Sequence, residues 1–196
     1  MADNEYLNFD ADGDGTPDSY AQEIDVNGDG IVDGYLIDLG GDGSSEILLL
    51  DTDGDGYCET LAQDTDLNGT FDKFYLDADT DGDGVIDQIQ ILHDYDQNGQ
   101  IDCGHVYSDT DGDGNVDTVS EMIDTDGDGF MDDIFTYVDT DGDGEPDGYM
   151  QETFQDTDGD GTPDTYNIQV DTDGDQVYDE SGSFSFDPST GEITPL

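Results

Sequence analysis

Short segments of alternating apolar and polar residues recur along this chain, each cut off by a run of aspartate and glycine. Typical segments read Gln-Ile-Gln-Ile-Leu (88–92), Ile-Phe-Thr-Tyr-Val (134–138) and Tyr-Asn-Ile-Gln-Val (166–170). They are four to eight residues long, rich in β-branched and aromatic side chains, and bounded by turn formers, which predicts strands. The acidic runs between them begin at Asp10, Asp25, Asp38, Asp51, Asp64, Asp79, Asp94, Asp109, Asp124, Asp139, Asp156 and Asp171. Successive starts differ by 13, 15 or 17 residues, so the period changes only in steps of two. Steps of two preserve side-chain facing in a strand, and a helix has no reason to respect that parity.

With the first Asp of each run as position 1, position 11 is apolar in Tyr20, Tyr35, Leu48, Leu61, Phe74, Ile89, Val119, Ile134, Tyr149 and Tyr166, with Gly104 and Ser181 as exceptions. Position 8 is often apolar as well, and holds proline at Pro17, Pro146 and Pro163, so its amide is not a required ladder donor. The chain therefore reads as an all-β repeat array in three parts: an N-terminal edge strand (1–9), twelve loop-and-strand repeats (10–180) and a C-terminal capping hairpin (181–196). Because the same parity carries the apolar side in most repeats, a parallel β-roll or solenoid is slightly favoured. An antiparallel β-meander or superhelix is the alternative.

Composition changes the picture sharply. The formal charge is −54 with a single basic side chain, Lys73, and apolar residues make up 32% of the chain. High net charge with few apolar residues is the signature of disorder, so the bare chain is expected to be expanded unless cations enter from outside. Nucleic acid and anionic membranes are excluded as partners because both call for Lys and Arg. No apolar run is long enough to span a bilayer, and the residues after Met1 are acidic and polar rather than leader-like. Cys58 and Cys103 read as separate free thiols, with a single bridge as the alternative. His93 and His105 have no nucleophile motif beside them and read as surface or packing residues, so no enzyme is expected. Asn68-Gly69-Thr70 is a glycosylation sequon, though modification would compete with a ligand role for Asn68.

The acidic runs carry the candidate chemistry. Their consensus is Asp-x-Asp-Gly-Asp-Gly-x-x-Asp, with oxygen ligands at positions 1, 3, 5 and 9. The side-chain set is Asp10, Asp12, Asp14 and Asp18; Asp25, Asn27, Asp29 and Asp33; Asp51, Asp53, Asp55 and Glu59; Asp64, Asp66, Asn68 and Asp72; Asp79, Asp81, Asp83 and Asp87; and Asp94, Asp96, Asn98 and Asp102. It continues with Asp109, Asp111, Asp113 and Asp117; Asp124, Asp126, Asp128 and Asp132; Asp139, Asp141, Asp143 and Asp147; Asp156, Asp158, Asp160 and Asp164; and Asp171, Asp173, Asp175 and Asp179. Ca²⁺ takes six to eight oxygens, and a tightly curled loop can converge three or four carboxylates and the position-7 carbonyl on one point. Mg²⁺ is less apt, since it keeps its waters and demands octahedral geometry. The Asp38–Glu46 run lacks the position-3 ligand and is expected to be weak or empty, and Gln176, in place of Gly at position 6, is expected to strain its turn.

Positions 1 to 6 resemble the start of an EF-hand loop, and the nonamer with Asp at position 9 resembles thrombospondin type 3 repeats and the calcium hairpins of integrin-type FG-GAP blades. The resemblance spans about residues 10–179 but covers the loops alone. It implies calcium ligation by Asp109, Asp111, Asp113 and Asp117 and their equivalents, not an architecture. EF-hands need a Glu at position 12, where this chain has Ala21, Leu36, Ala62, Ser120 or Phe135. Eleven filled sites would bring the charge of −54 to −32. Weak sites fill where free calcium is plentiful, which points outside the cell. The expectation is a calcium-rigidified extracellular structural repeat: a spacer, adhesin stalk, surface-layer or filament subunit, with head-to-tail assembly through strand edges open to it. A calcium reservoir or mineral-nucleating protein, or an ancillary domain of a larger secreted adhesin or enzyme, is the alternative.

Overall fold

Within each of two compact units, the acidic runs return the chain directly onto the strand it has just left. In a computed structural model describing residues 6–10, 13–80, 83–157, 162–187, 190 and 192–196, the amide of position 9 donates to the carbonyl just before position 1. Asp33 bonds to Ile24 at 2.7 Å, and Asp117 to Ser108, Asp132 to Ile123 and Asp147 to Val138 at 2.8 Å. This bond is the first rung of a hairpin. It also explains the prolines, because the ladder starts at position 9 and position 8 owes it no donor.

The chain divides into two units, Met1–Ala78 and Asp79–Leu196. The first carries β1 (Tyr6–Phe9), β2 (Ser19–Ile24), β3 (Gly34–Leu39), β4 (Ile47–Leu50), β5 (Thr60–Gln63) and β6 (Lys73–Ala78). The second carries β7 (Gln88–His93), β8 (Cys103–Ser108), β9 (Thr118–Ile123), β10 (Asp133–Val138), β11 (Gly148–Gln155), β12 (Thr165–Asp171), β13 (Glu180–Asp187) and β14 (Glu192–Pro195). Within each unit every strand pairs antiparallel with its sequence neighbours. The fold is thus an all-β repeat array, and no helix is present among the described residues.

The favoured parallel roll is not what forms; the antiparallel meander is. A parallel neighbour needs a crossover of a dozen or more residues, and a nine-residue loop closed by its own hairpin bond has none to spare. The inference that every repeat sees one environment falls with it. The register aligns Val119 with Tyr107 and Tyr137, and Tyr137 with Tyr149, on one face. Ile134 pairs with Met122 on the other. Across β8 to β11 position 11 therefore alternates between faces from one repeat to the next, and position 14 of a neighbouring strand meets it. Both faces are half apolar as a result.

Burial is correspondingly thin. Among the described residues the buried apolar side chains are Ala21, Ala62 and Tyr166, while Ser19 and Asp171 are nearly sealed. Most strand residues are half-buried. Gly104, the exception at position 11, has a physical reason: a Cβ there would lie 2.6 Å from Leu92 Cδ2, whose side chain, with that of its other partner Met122, fills the place. At the C-terminal end Phe154, Tyr166, Phe184 and Phe186 form an aromatic cluster with ring centroids 5.1–5.8 Å apart. Cys58 and Cys103 are free thiols.

Candidate metal centres in the acidic loops

The loops are built on aspartate side chains capping backbone amides. In the Asp109–Asp117 loop, Asp109 Oδ1 accepts from Gly112 N at 2.8 Å and Asp113 N at 3.2 Å, and its Oδ2 from Gly114 N at 2.7 Å. Asp111 Oδ1 accepts from Asp113 N at 3.1 Å, and Asp113 Oδ1 from Asn115 N at 2.8 Å. Asp117 Oδ2 closes the loop, accepting from Thr110 N at 2.7 Å and Thr110 Oγ1 at 2.5 Å. The curl needs left-handed backbone at positions 4 and 6, here Gly112 at φ 74° and Gly114 at φ 91°. Glycine takes that conformation without the steric cost other residues meet.

The same frame recurs around Asp10, Asp25, Asp51, Asp64, Asp79, Asp94, Asp124, Asp139 and Asp171, whose carboxylates accept amides from positions 4, 5 or 6. At the other end Asp33, Glu59, Asp72, Asp87, Asp102, Asp132, Asp147, Asp164 and Asp179 each accept the amide of position 2. Asp12, Asp81, Asp158 and Asp160 lie outside the described residues. Among the described residues three non-glycines occupy the left-handed region: Leu67 (φ 62°), Gln97 (φ 57°) and Gln176 (φ 67°). Gln176 is the strained position expected from the sequence. Leu67 and Gln97 stand at position 4, whose conformational demand shows in the glycines that fill it elsewhere.

Several acidic groups come close enough to hold a metal ion together. One ligand oxygen from each residue lies within 4.8 Å of the others in the sets Asp51, Asp53, Asp55 and Glu59; Asp64, Asp66 and Asp72; Asp94, Asp96 and Asp102; and Asp109, Asp111 and Asp117. Asp113 stands outside the last set. Asp38, Asp42 and Glu46 form another set of the same closeness. The sequence reading set that loop aside for its missing position-3 ligand. What draws it in is the shared frame: Gly43 N caps Asp38 Oδ2 at 2.9 Å, and Leu39 N caps Glu46 Oε2 at 2.6 Å.

A second feature passed unread in the sequence is the threonine at position 2. Thr52, Thr65, Thr80, Thr110, Thr125, Thr140, Thr157 and Thr172 each turn the hydroxyl onto the position-9 carboxylate. Its signal was present in the recurrent Asp-Thr-Asp. These donors have an electrostatic consequence. The threonine hydroxyls, and then the amides, hold Asp117, Asp147 and Asp179 below the usual carboxylate range. At Asp64 desolvation opposes the charge, yet amides from Gly69, Asn68 and Leu67 outweigh it and the carboxyl is again held low. Asp126 goes the other way, raised by desolvation and by the charges of Asp128 and Asp132.

The donor set fits a hard divalent cation: ionised carboxylates, fixed in place by backbone amides, and converging without nitrogen or sulfur. One loop goes further. Glu59 Oε2 accepts Thr52 N at 2.8 Å and Thr52 Oγ1 at 3.0 Å, while Glu59 Oε1 is buried with no hydrogen-bond partner. A buried carboxylate oxygen without a donor is costly unless a charge compensates it.

Compared with family models, curated proteins and solved structures, the chain matches none. Its class rests on the fold and the loops themselves: an antiparallel all-β repeat whose turns are acidic clusters able to accept metal. No helix among the described residues is long and apolar enough to cross a membrane.

Proposed function

We propose that this chain is a calcium-binding structural repeat of the extracellular space, a spacer, stalk, surface-layer or filament subunit, in which cations in the acidic loops hold a thinly packed meander rigid. The observation that carries this reading is the Asp51–Glu59 loop, where four acidic residues converge and Glu59 Oε1 is buried without a partner. Bound calcium would supply the compensating charge. Asp51, Asp53, Asp55 and Glu59 would hold it, with Thr52 and the loop amides keeping the carboxylates aimed. The same logic extends along the array, because each strand is short and few side chains are sealed, so burial alone offers little stabilisation.

A protein that binds ions only when folded is stabilised by mass action. Many weak sites of this kind fill at extracellular calcium levels and stay empty at cytosolic ones, which supports the location. Isothermal titration of the full chain with Ca²⁺ against Mg²⁺ tests the reading, with Glu59→Gln as the site variant. The expected result is multi-site calcium binding with about one site weakened or lost in the variant. No calcium-specific heat, or an unchanged variant, would refute it.

A further inference from the structure

A cleft of about 570 Å³ opens in the second unit between the Asp139–Asp147 and Asp171–Asp179 loops, lined by Phe135, Tyr137, Tyr149 and Tyr178 together with Glu145 and Gln176. None of these side chains is buried in a core: Phe135, Tyr149 and Tyr178 are half-buried and Tyr137 is 41% exposed. Tyr137 and Tyr149 are direct cross-strand partners with ring centroids 6.5 Å apart, tilted by 33°. Tyr149 and Tyr178 lie 5.2 Å apart at 59°. The Tyr178 hydroxyl donates to Gln151 Oε1 at 2.8 Å, which fixes that ring. The rings form a continuous, pre-set aromatic wall with the Glu145 carboxylate in the same lining, and the charges of Asp171 and Asp175 also reach Tyr149.

Aromatic faces carry negative potential and attract cations, the more so within a strongly negative field. The chain demonstrates the affinity on itself: Lys73, its single basic side chain, places Nζ 4.8 Å from the centroid of the Tyr75 ring. That lysine is thereby engaged, and the chain has no arginine. A cation for the Tyr137–Tyr149–Tyr178 cleft must therefore come from another molecule. A guanidinium suits it best, being planar enough to stack on tilted rings and able to pair two N–H groups with one carboxylate.

We propose that this cleft docks an arginine side chain of a basic partner protein, stacked on the tyrosine wall and hydrogen-bonded to Glu145. The inference goes beyond the calcium reading and uses none of the metal-facing carboxylates.

The test is a titration of the full chain, in saturating calcium, with a capped peptide bearing one arginine, against the same peptide with neutral, isosteric citrulline. Ring signals of Tyr137, Tyr149 and Tyr178 are followed by NMR. The arginine peptide should bind at least about tenfold more tightly than the citrulline one and should shift those three rings. Tyr137→Leu and Glu145→Gln should each weaken binding by about tenfold while the far-ultraviolet circular dichroism is unchanged. Equal binding of the two peptides, or preferential shifts of the rings by a neutral oligosaccharide, would overturn the proposal. So would arginine binding that both variants leave intact, which would mark diffuse attraction to the acidic loops. Calcium binding is read by titration on the same sample, so a failure there and a failure at the cleft are separate results.

Discussion

At the scale of single residues, the loops are decided by φ angles and by who donates to each carboxylate. Leu67 takes a φ of 62° where most other loops have glycine, and the residue is 72% exposed. A left-handed conformation costs a branched residue about 1–2 kcal/mol, and little burial is lost on its removal. Leu67→Gly should therefore raise stability by about 1 kcal/mol in urea denaturation; a destabilised variant would show that the strain has been misread. Asp147 is held low by the Thr140 hydroxyl and then by the Thr140 amide. A carboxyl with a lowered folded pKa stabilises the fold at pH values above its ordinary value of about 3.9, and that contribution is lost as pH falls through the lower folded value. Thr140→Val should bring the carbon-13 titration of the Asp147 carboxyl up toward the ordinary value and start the acid loss of structure at higher pH. No movement would mean the hydroxyl is not a significant donor in solution.

At the scale of elements, the hairpin sets the topology, and its cause was partly legible. The odd spacing announced strands, and Pro17, Pro146 and Pro163 announced that position 8 lies outside the ladder. The direction of pairing was not legible, because parity of spacing suits both a roll and a meander. What settles it is the position-9 amide returning to the preceding strand, as from Asp132 to Ile123. Gly104 is a second case: in sequence it looked like a lapse in the apolar pattern, while in space Leu92 fills its place. Gly104→Val should destabilise the second unit by about 1–3 kcal/mol through overpacking, measurable as a lowered urea midpoint. A neutral result would mean that β7 and β9 give way readily. The acidic loops were the most legible feature, since their chemistry is local. The Asp38–Glu46 loop was expected to be weak or empty, and the position-2 threonines passed unread, because ligand residues were counted and the frame that positions them was not.

At the scale of the whole molecule, fold and charge stand in opposition. A formal charge of −54 is concentrated in the loops that join strands burying few apolar side chains. Amides and threonine hydroxyls satisfy many carboxylate oxygens, but they do not cancel the charge. Like-charge repulsion of this size favours expansion, so on this account the meander depends on cations. The dependence should be cooperative within each unit, because neighbouring loops on one edge share backbone bonds, as Asp139 N does with Asp117 O at 2.8 Å.

The most direct measurement of that dependence is small-angle scattering with circular dichroism on the full chain, first in calcium and then after chelation. The account predicts a compact, strand-rich particle in calcium that expands and loses its β signal when the ion is removed, and recovers when it is restored. A chelated chain that keeps the same radius and the same spectrum would contradict it.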